Sequence, residues 1–144
     1  MKKYFILNDS HWDYGDQYNE KEIQNFFDNI FFPKILEYQK KYKDIKIIHL
    51  GDWYEKKYII KIEKLEFVKN VFLDRFCKLN IPMHIIPGNH DMPYPESLKI
   101  TSLDLTLQGY KNITIHKEPA IIDNIIALVP WICEENAEKV LNFI

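Results

Sequence analysis

Three short clusters of polar residues stand out in this sequence, because each directly follows an apolar run. Asp9 and His11 follow the run 4–7, Asp52 follows the run 45–50, and Asn89 with His90 follows the run 83–86. Carboxylate oxygens, imidazole nitrogens and amide oxygens are ligands for divalent transition ions such as manganese, iron and zinc. The clusters therefore predict a metal site if the fold brings them together.

A carboxylate in such a site can serve two ions at once. Asp52 is the candidate for this role. Two metal ions about 3.5 to 4 Å apart hold both the attacking and the leaving oxygen in phosphoryl transfer. The alternative is structural, since Asp, Asn and Ser after a strand commonly form Asx-turns and helix caps. Polar groups of this kind at all three strand ends favour the metal interpretation.

The apolar pattern predicts the elements that position these clusters. The run 4–8 is apolar on both faces, as a strand buried in a parallel sheet is, and the runs 45–50 and 83–86 are predicted to be the second and third strands. Between them, apolar residues recur every three or four positions over 20–42 and 60–79, which predicts two amphipathic helices. Pro33 should kink or split the first helix. The sequence therefore predicts an α/β fold with a parallel sheet flanked by helices.

All three clusters then lie at the carboxyl ends of strands, where the loops of an open parallel sheet form a ligand crevice. After residue 92 the pattern changes. It predicts a helix over 97–108, short strands over 112–116, 120–123 and 125–129, a tight turn at Asp123-Asn124 and a helix from 134. These later strands leave open whether the central sheet is parallel or mixed.

Size and composition limit the class of protein. The chain has 144 residues, 47% of them hydrophobic, which suits one domain with its own core. A net charge of −2 argues against nucleic-acid binding over the whole surface, so any contact with DNA must be local. The apolar run after Lys2 and Lys3 is too short for an export signal or a membrane span. We therefore expect a cytoplasmic protein that does not contact a membrane.

The three clusters together resemble the signatures of a known family. Asp9-Ser10-His11 and the segments 51–55 and 88–91 match the patterns D-x-H, G-D-x-x-[DE] and G-N-H-[DE] of the calcineurin-like metallophosphoesterases. The segment 128–132, Leu-Val-Pro-Trp-Ile, is similar to the SbcD-type recombination nuclease subunit, particularly its bacteriophage form. The resemblance extends over nearly the whole chain and implies that family's sandwich fold.

The resemblance also implies two divalent metal ions, with Mn²⁺ as the expected metal. Asp9 and His11 would hold the first ion, Asp52 would bridge both ions, and Asn89 would bind the second. These four residues are the metal ligands that we expect.

Two further residues would be catalytic rather than ligands. The resemblance implies that His90 stabilises the transition state or protonates the leaving oxygen, and that Asp91 beside it orients the ring. The substrate would be DNA, cut by exonuclease and endonuclease activity in recombination and repair. The partner would be an SMC-like ATPase subunit of the SbcC type, and the segment 92–95 would form either a wall of the site or part of a homodimer contact. A phage-encoded protein would act in the cytosol of the bacterial host.

One part of the family pattern is missing from these residues. The family adds a later histidine and a G-H-x-H signature, whereas His116 is the only histidine after His90 and no Gly-His pair occurs. We expect His116 to be structural or exposed and not a substitute ligand, which leaves the second ion with Asp52 and Asn89 alone. Residues 1–144 would then be a single metallophosphoesterase domain in its N-terminal portion, an incomplete sandwich with little nuclease activity by itself.

Two other functions fit the same residues. The site would also serve a phosphomonoesterase or a cyclic-nucleotide phosphodiesterase. Alternatively, the chain would be a non-catalytic fragment that keeps only its partner contacts.

Several residues near the motifs have a structural alternative. His49 and His84 lie inside apolar strands, where a core histidine bonded to the backbone is the expected state. Trp12, Trp53 and Tyr54 adjoin predicted ligands, so they would either stack on bases or pack the loops.

Overall fold

The protein folds into six strands and six α-helices, and the computed structural model describes every residue from Met1 to Ile144. The strands are β1 (Lys2–Leu7), β2 (Asp44–His49), β3 (Met83–Ile85), β4 (Ile113–Ile115), β5 (Ala120–Ile122) and β6 (Ile126–Leu128). The helices are α1 (Gln17–Phe26), α2 (Phe32–Lys41), α3 (Ile62–Val68), α4 (Asp74–Leu79), α5 (Ser102–Leu107) and α6 (Ala137–Phe143). Two π-helical turns, Phe27–Phe31 and Lys69–Leu73, join α1 to α2 and α3 to α4.

The central sheet is wholly parallel, with the strand order β1-β2-β3-β4. β1 pairs with β2 along its full length, from Lys2 opposite Asp44 to Leu7 opposite His49. β5 and β6 form a separate antiparallel hairpin. The predicted α/β fold with a sheet flanked by helices is therefore confirmed, and the sheet is of the parallel type.

The larger core lies between the sheet and its helices. Ile47, Met83 and Ile85 are fully buried on the helical side of the strands. Facing them, the helices contribute aromatic rings around Phe72, whose centroid lies 5.3 Å from that of Phe27. Aromatic pairs at such distances stabilise a core beyond their buried area. This core fixes the helices against the strands whose ends carry the predicted ligands.

Pro33 does not interrupt the helical backbone, which continues through α1, a π turn and α2. The proline lies in the first turn of α2, directly after the π turn in which the Phe32 N–H donates to the Phe27 carbonyl. The wider π turn opens the backbone where the proline ring would otherwise meet the carbonyl four residues earlier. The helix predicted over 20–42 is therefore divided into α1 and α2 at the proline, by a π turn and without a break in the helical backbone.

The hairpin of β5 and β6 covers part of the other face of the sheet. Four apolar side chains are buried between them, namely Ile48, Ile86, Ile122 and Leu128. Asp123 and Asn124 have left-handed φ values of 55° and 58°, as the central residues of a type I′ turn do, and Ile125 completes a three-residue loop between the paired residues Ile122 and Ile126. Asp123 accepts hydrogen bonds from the Lys46 ammonium at 2.5 Å and the Tyr4 hydroxyl at 2.7 Å. The predicted hairpin turn is therefore present and is fastened to β1 and β2.

Part of this second face stays open. Ile6 is 63% exposed although it lies on the same side of β1 as Tyr4. β1 is an edge strand and has a hydrogen-bonded neighbour on one side only.

No helix in the structure has the length and apolar character needed to cross a membrane. The two cysteines are unpaired, with Cys133 buried and Cys77 exposed.

Candidate metal centre

The loops that follow β1 and β2 run side by side beyond the ends of their strands. The Asp9 N–H donates to the Gly51 carbonyl at 3.3 Å, and the Trp12 N–H donates to the Trp53 carbonyl at 3.0 Å. These bonds continue the parallel pairing of β1 and β2 into the loops. Two of the three predicted clusters are therefore adjacent because their backbones are paired.

The three residues expected to hold the first ion share an unusual backbone conformation. Asp9, His11 and Asp52 have left-handed φ values of 47°, 41° and 54°. This conformation is uncommon for residues other than glycine, and it is concentrated at functional sites, where the surrounding structure imposes it. The turn of the backbone at these positions brings their side chains together.

The side chains of the same three residues converge. One ligand atom each from Asp9, His11 and Asp52 can be chosen so that all lie within 4.8 Å of one another. The Nε2 atom of His11 is 3.6 Å from an oxygen of Asp9. Two carboxylates and one imidazole form a donor set suited to manganese, iron or zinc. The residues present therefore fit a divalent ion at this position.

Glu55 joins the site, although it was not among the predicted site residues. Its carboxylate lies 2.7 Å from Nδ1 of His11, and Glu55, His11 and His90 form a second group whose ligand atoms fall within 4.8 Å. The Nδ1 atom of His11 is buried and makes no hydrogen bond of acceptable geometry despite this contact. A carboxylate behind a ligating imidazole is a common means of orienting the ring. The fifth position of the G-D-x-x-[DE] pattern was the sequence signal for Glu55.

His90 is held on both its backbone and its ring. Its N–H donates to an oxygen of Asp52 at 2.9 Å, and its Nδ1 lies 2.7 Å from the Glu55 carbonyl oxygen. Because a carbonyl oxygen only accepts, Nδ1 must carry the proton, which leaves Nε2 as the other functional atom of the ring. The ring stands edge-on to that of His11, with centroids 5.2 Å apart.

Asp91 organises the backbone around the site. Its buried carboxylate accepts hydrogen bonds from the N–H groups of Asp52 at 2.8 Å, Gly88 at 2.9 Å and Trp53 at 3.0 Å. The Ser102 hydroxyl is a further donor at 3.3 Å. Burial raises the pKa of Asp91 to about 6, although the backbone donors oppose this shift.

The expectation that Asp91 orients the ring of His90 is wrong. The carboxylate of Asp91 is directed at backbone N–H groups of the neighbouring loops, and the Glu55 carbonyl holds the ring instead. Asp91 therefore positions the loop that carries Asp52, and its carboxylate makes no hydrogen bond to the imidazole.

Asn89 begins the short 3₁₀ turn Asn89–Asp91, one residue after Gly88. Gly88 is packed so tightly against the preceding loop that an added Cβ would lie 2.1 Å from Oδ1 of Asp52. This close approach brings the third predicted cluster beside the other two. The backbone of Asn89 therefore lies between Gly88 and His90, which both contact Asp52.

Comparison with known proteins agrees with this geometry. The family model described as calcineurin-like phosphoesterase matches residues 2–137. The chain belongs to the calcineurin-like phosphoesterase family. Exonuclease subunit 1 of Enterobacteria phage T4 is 29% identical over an alignment of 143 residues, and this alignment covers 96% of this chain and 41% of that protein. The chain thus spans less than half the length of this phage relative, and the resemblance found in the motifs is confirmed.

His49 is a buried residue that supports this phosphoesterase site through hydrogen bonds to both ligand loops. It is fully buried, its Nδ1 accepts the Gly51 N–H at 3.2 Å, and its Nε2 lies 2.6 Å from the Ser10 hydroxyl. Burial lowers the pKa of His49 to about 3, so the ring is neutral. The expectation of a core histidine bonded to the backbone is confirmed. The bond to Ser10 adds a link between the two ligand loops.

The aromatic residues next to the ligands pack the loops. Trp12, Trp53 and Tyr54 are at most 1% exposed, so they do not present faces on which bases could stack. The two remaining histidines lie away from the site and bond to each other, with Nδ1 of His84 2.9 Å from Nε2 of His116. His116 is therefore structural, as expected, and His84 pairs with a side chain instead of the backbone.

We predict that Gly88→Ala weakens Mn²⁺ binding to this phosphoesterase chain at least about tenfold, since a distortion of 1.4 kcal/mol suffices for that change. The physical reason is the 2.1 Å approach between an added Cβ and Oδ1 of Asp52. Gly109→Ala is the matched control, because an added Cβ at Gly109 meets nothing within 4 Å. Calorimetric titration with Mn²⁺ measures both affinities. Equal affinities for the two variants would show that the contact between Gly88 and Asp52 is unimportant.

We predict that His49 makes the fold sensitive to acid. Its pKa is about 3 in the folded chain and 6.5 in the reference state, so the unfolded chain binds more protons between these values. The stability that neutral His49 contributes is complete above pH 6.5 and is lost as the pH falls, by about 2 kcal/mol between pH 6.5 and pH 5.

Urea unfolding of the wild type and His49→Asn at several pH values measures this effect. The variant should be less stable at pH 7 but should show a flatter pH dependence. Parallel curves for the two proteins would contradict the assignment.

Proposed function

We propose that this chain provides the first metal-binding portion of a two-metal phosphodiesterase. Asp9, His11 and Asp52 would hold one ion, while Asp52 and Asn89 would contribute to a second. The observation that carries the proposal is the convergence of Asp9, His11 and Asp52 in left-handed conformations at paired strand ends. Turn chemistry alone does not require three such residues to share one point.

The ions, when bound, would polarise a phosphate oxygen and lower the pKa of water, with Mn²⁺ as the proposed metal. The protein's own groups would do the rest. Glu55 and Asp9 flank the imidazole of His11 and would orient it. His90 would direct Nε2 at the phosphate, where it would stabilise the transition state or protonate the leaving oxygen. Asp91 would act indirectly, because it holds the loop of Asp52.

We propose DNA as the substrate, and an SMC-like ATPase of the SbcC type as the partner in recombination and repair. The T4 relative is named as an exonuclease subunit, which supports a nuclease that works with another protein. Lys56 and Lys57 follow Glu55 directly and would supply local positive charge for a phosphate backbone. The proposed place of action is the cytosol of a bacterial host.

We also propose that residues 1–144 form the N-terminal portion of the domain. Further polypeptide would then complete the site. The second ion has few ligands here, and the matched region covers 41% of the T4 relative. The unpaired edge of β1 leads directly to Asp9, so a strand added at this edge would end beside the site.

A homodimer is a further proposal, and an exposed apolar groove supports it. Tyr58, Ile100 and Leu105 are more than half exposed and line this groove together with Ile60 and Leu65. Exposed apolar groups gathered on one surface are typical of association surfaces.

We predict that residues 1–144 alone cleave DNA at little or no rate in Mn²⁺. A chimera that continues from residue 144 into the rest of T4 exonuclease subunit 1 should cleave DNA ends or single strands and should ignore small phosphomonoesters. A panel of labelled DNA, a cyclic nucleotide and p-nitrophenyl phosphate separates the substrate classes. Robust cleavage by residues 1–144 would remove the claim of an incomplete site, and phosphomonoester hydrolysis alone would remove the nuclease.

We predict that His90→Ala in this chimera lowers DNA cleavage at least about 100-fold, as expected for loss of a general acid. The Mn²⁺ affinity of residues 1–144 should stay nearly unchanged. His116→Ala is the control, because His116 pairs with His84 away from the site. Loss of Mn²⁺ affinity in His90→Ala would instead make His90 a metal ligand.

A further inference from the structure

A buried carboxylate outside the family motifs ties the two ligand loops together. Asp13 is 7% exposed, and its two oxygens accept hydrogen bonds from the N–H groups of Glu55 and Lys56 at 2.5 and 3.2 Å. Hydrogen bonds to a charged acceptor are roughly twice as strong as neutral ones. Asp13 therefore fastens the loop after β2 at the point where it carries Glu55.

This clamp is the last link between the loops. Backbone pairing runs from Asp9 with Gly51 to Trp12 with Trp53. At the next residue, the side chain of Asp13 continues the link by accepting the N–H groups of Glu55 and Lys56. Asp13 thus extends the link between the loops to Glu55, where the paired backbone has already ended.

Glu55 is the residue through which the clamp reaches both histidines of the site. Its carbonyl oxygen lies 2.7 Å from Nδ1 of His90, and its carboxylate lies 2.7 Å from Nδ1 of His11. A small shift of Glu55 would break the first contact, since hydrogen bonds weaken steeply with distance and angle.

We propose that Asp13 is a positioning residue that fixes the tautomer of His90 through Glu55. With the Glu55 carbonyl in place, His90 carries its proton on Nδ1 and presents Nε2 to the substrate side. Without Asp13, Glu55 shifts and the ring divides between its two tautomers. The importance of Nε2 rests on the proposed function, whereas the chain of contacts from Asp13 to His90 does not.

The test is the tautomer of His90 in the metal-free chain. Long-range ¹H–¹⁵N NMR of residues 1–144 labelled at histidine distinguishes a protonated ring nitrogen from a bare one at a pH where the ring is neutral. Wild-type His90 should show a protonated Nδ1. Asp13→Ala should move both ring-nitrogen shifts toward averaged values, and Asp13→Asn should be intermediate because the amide oxygen still accepts one N–H.

Asp16→Ala is the matched control. The carboxylate of Asp16 also accepts two backbone N–H groups, those of Tyr18 and Asn19 at the start of α1, but it has no contact with Glu55. This variant should leave the His90 signals unchanged. If Asp13 had only a structural role, Asp13→Ala and Asp16→Ala would both lower the stability of the fold, and neither would change the tautomer of His90.

Unchanged His90 signals in folded Asp13→Ala would overturn the proposal, as would an equal shift in Asp16→Ala. If Asp13→Ala does not fold, Asp13→Asn decides in the same way. The measurement uses neither metal nor substrate, so a failure of the proposed phosphodiesterase function would appear separately, as absent Mn²⁺ binding or absent cleavage by the chimera.

Discussion

The site depends on the pairing of two backbones beyond the ends of their strands. β1 and β2 are in register along six residue pairs, and hydrogen bonds continue between the loops that follow, from Asp9 with Gly51 to Trp12 with Trp53. Without this extension, loops of such length would choose among many conformations at a large entropic cost. The left-handed conformations of Asp9, His11 and Asp52 persist because the paired backbone leaves them little alternative.

Burial beneath the loops reinforces the pairing. Trp12 and Trp53 lie between the ligands and the aromatic core, with ring centroids 5.8 and 5.7 Å from that of Phe72. His49 and Asp91 make hydrogen bonds in the same buried layer. Burial lowers the pKa of His49 and raises the pKa of Asp91, and both shifts favour the neutral form of the side chain. The ligands at the surface are therefore supported by groups that have no direct part in holding an ion.

Much of this arrangement could be predicted from the sequence. Apolar periodicity predicted the parallel sheet, its crossover helices and the hairpin. The position of Asp9, His11 and Asp52 after successive strands predicted that these three side chains lie close together. The rest depends on contacts between distant backbones, which periodicity does not report. The Glu55 carbonyl takes the place expected for Asp91 beside His90, and Asp13 carries no motif signal at all. The π turn before Pro33 could not be predicted either, because local patterns predict only that a proline disturbs a helix.

The proposed function depends on the coordination of one divalent ion by Asp9, His11 and Asp52 together. Anomalous diffraction from crystals of residues 1–144 grown with Mn²⁺ tests this claim most directly. We expect an anomalous peak about 2.0 to 2.3 Å from a carboxylate oxygen of Asp9, an oxygen of Asp52 and a ring nitrogen of His11. A manganese peak elsewhere on the chain, with these three side chains apart, would contradict the account.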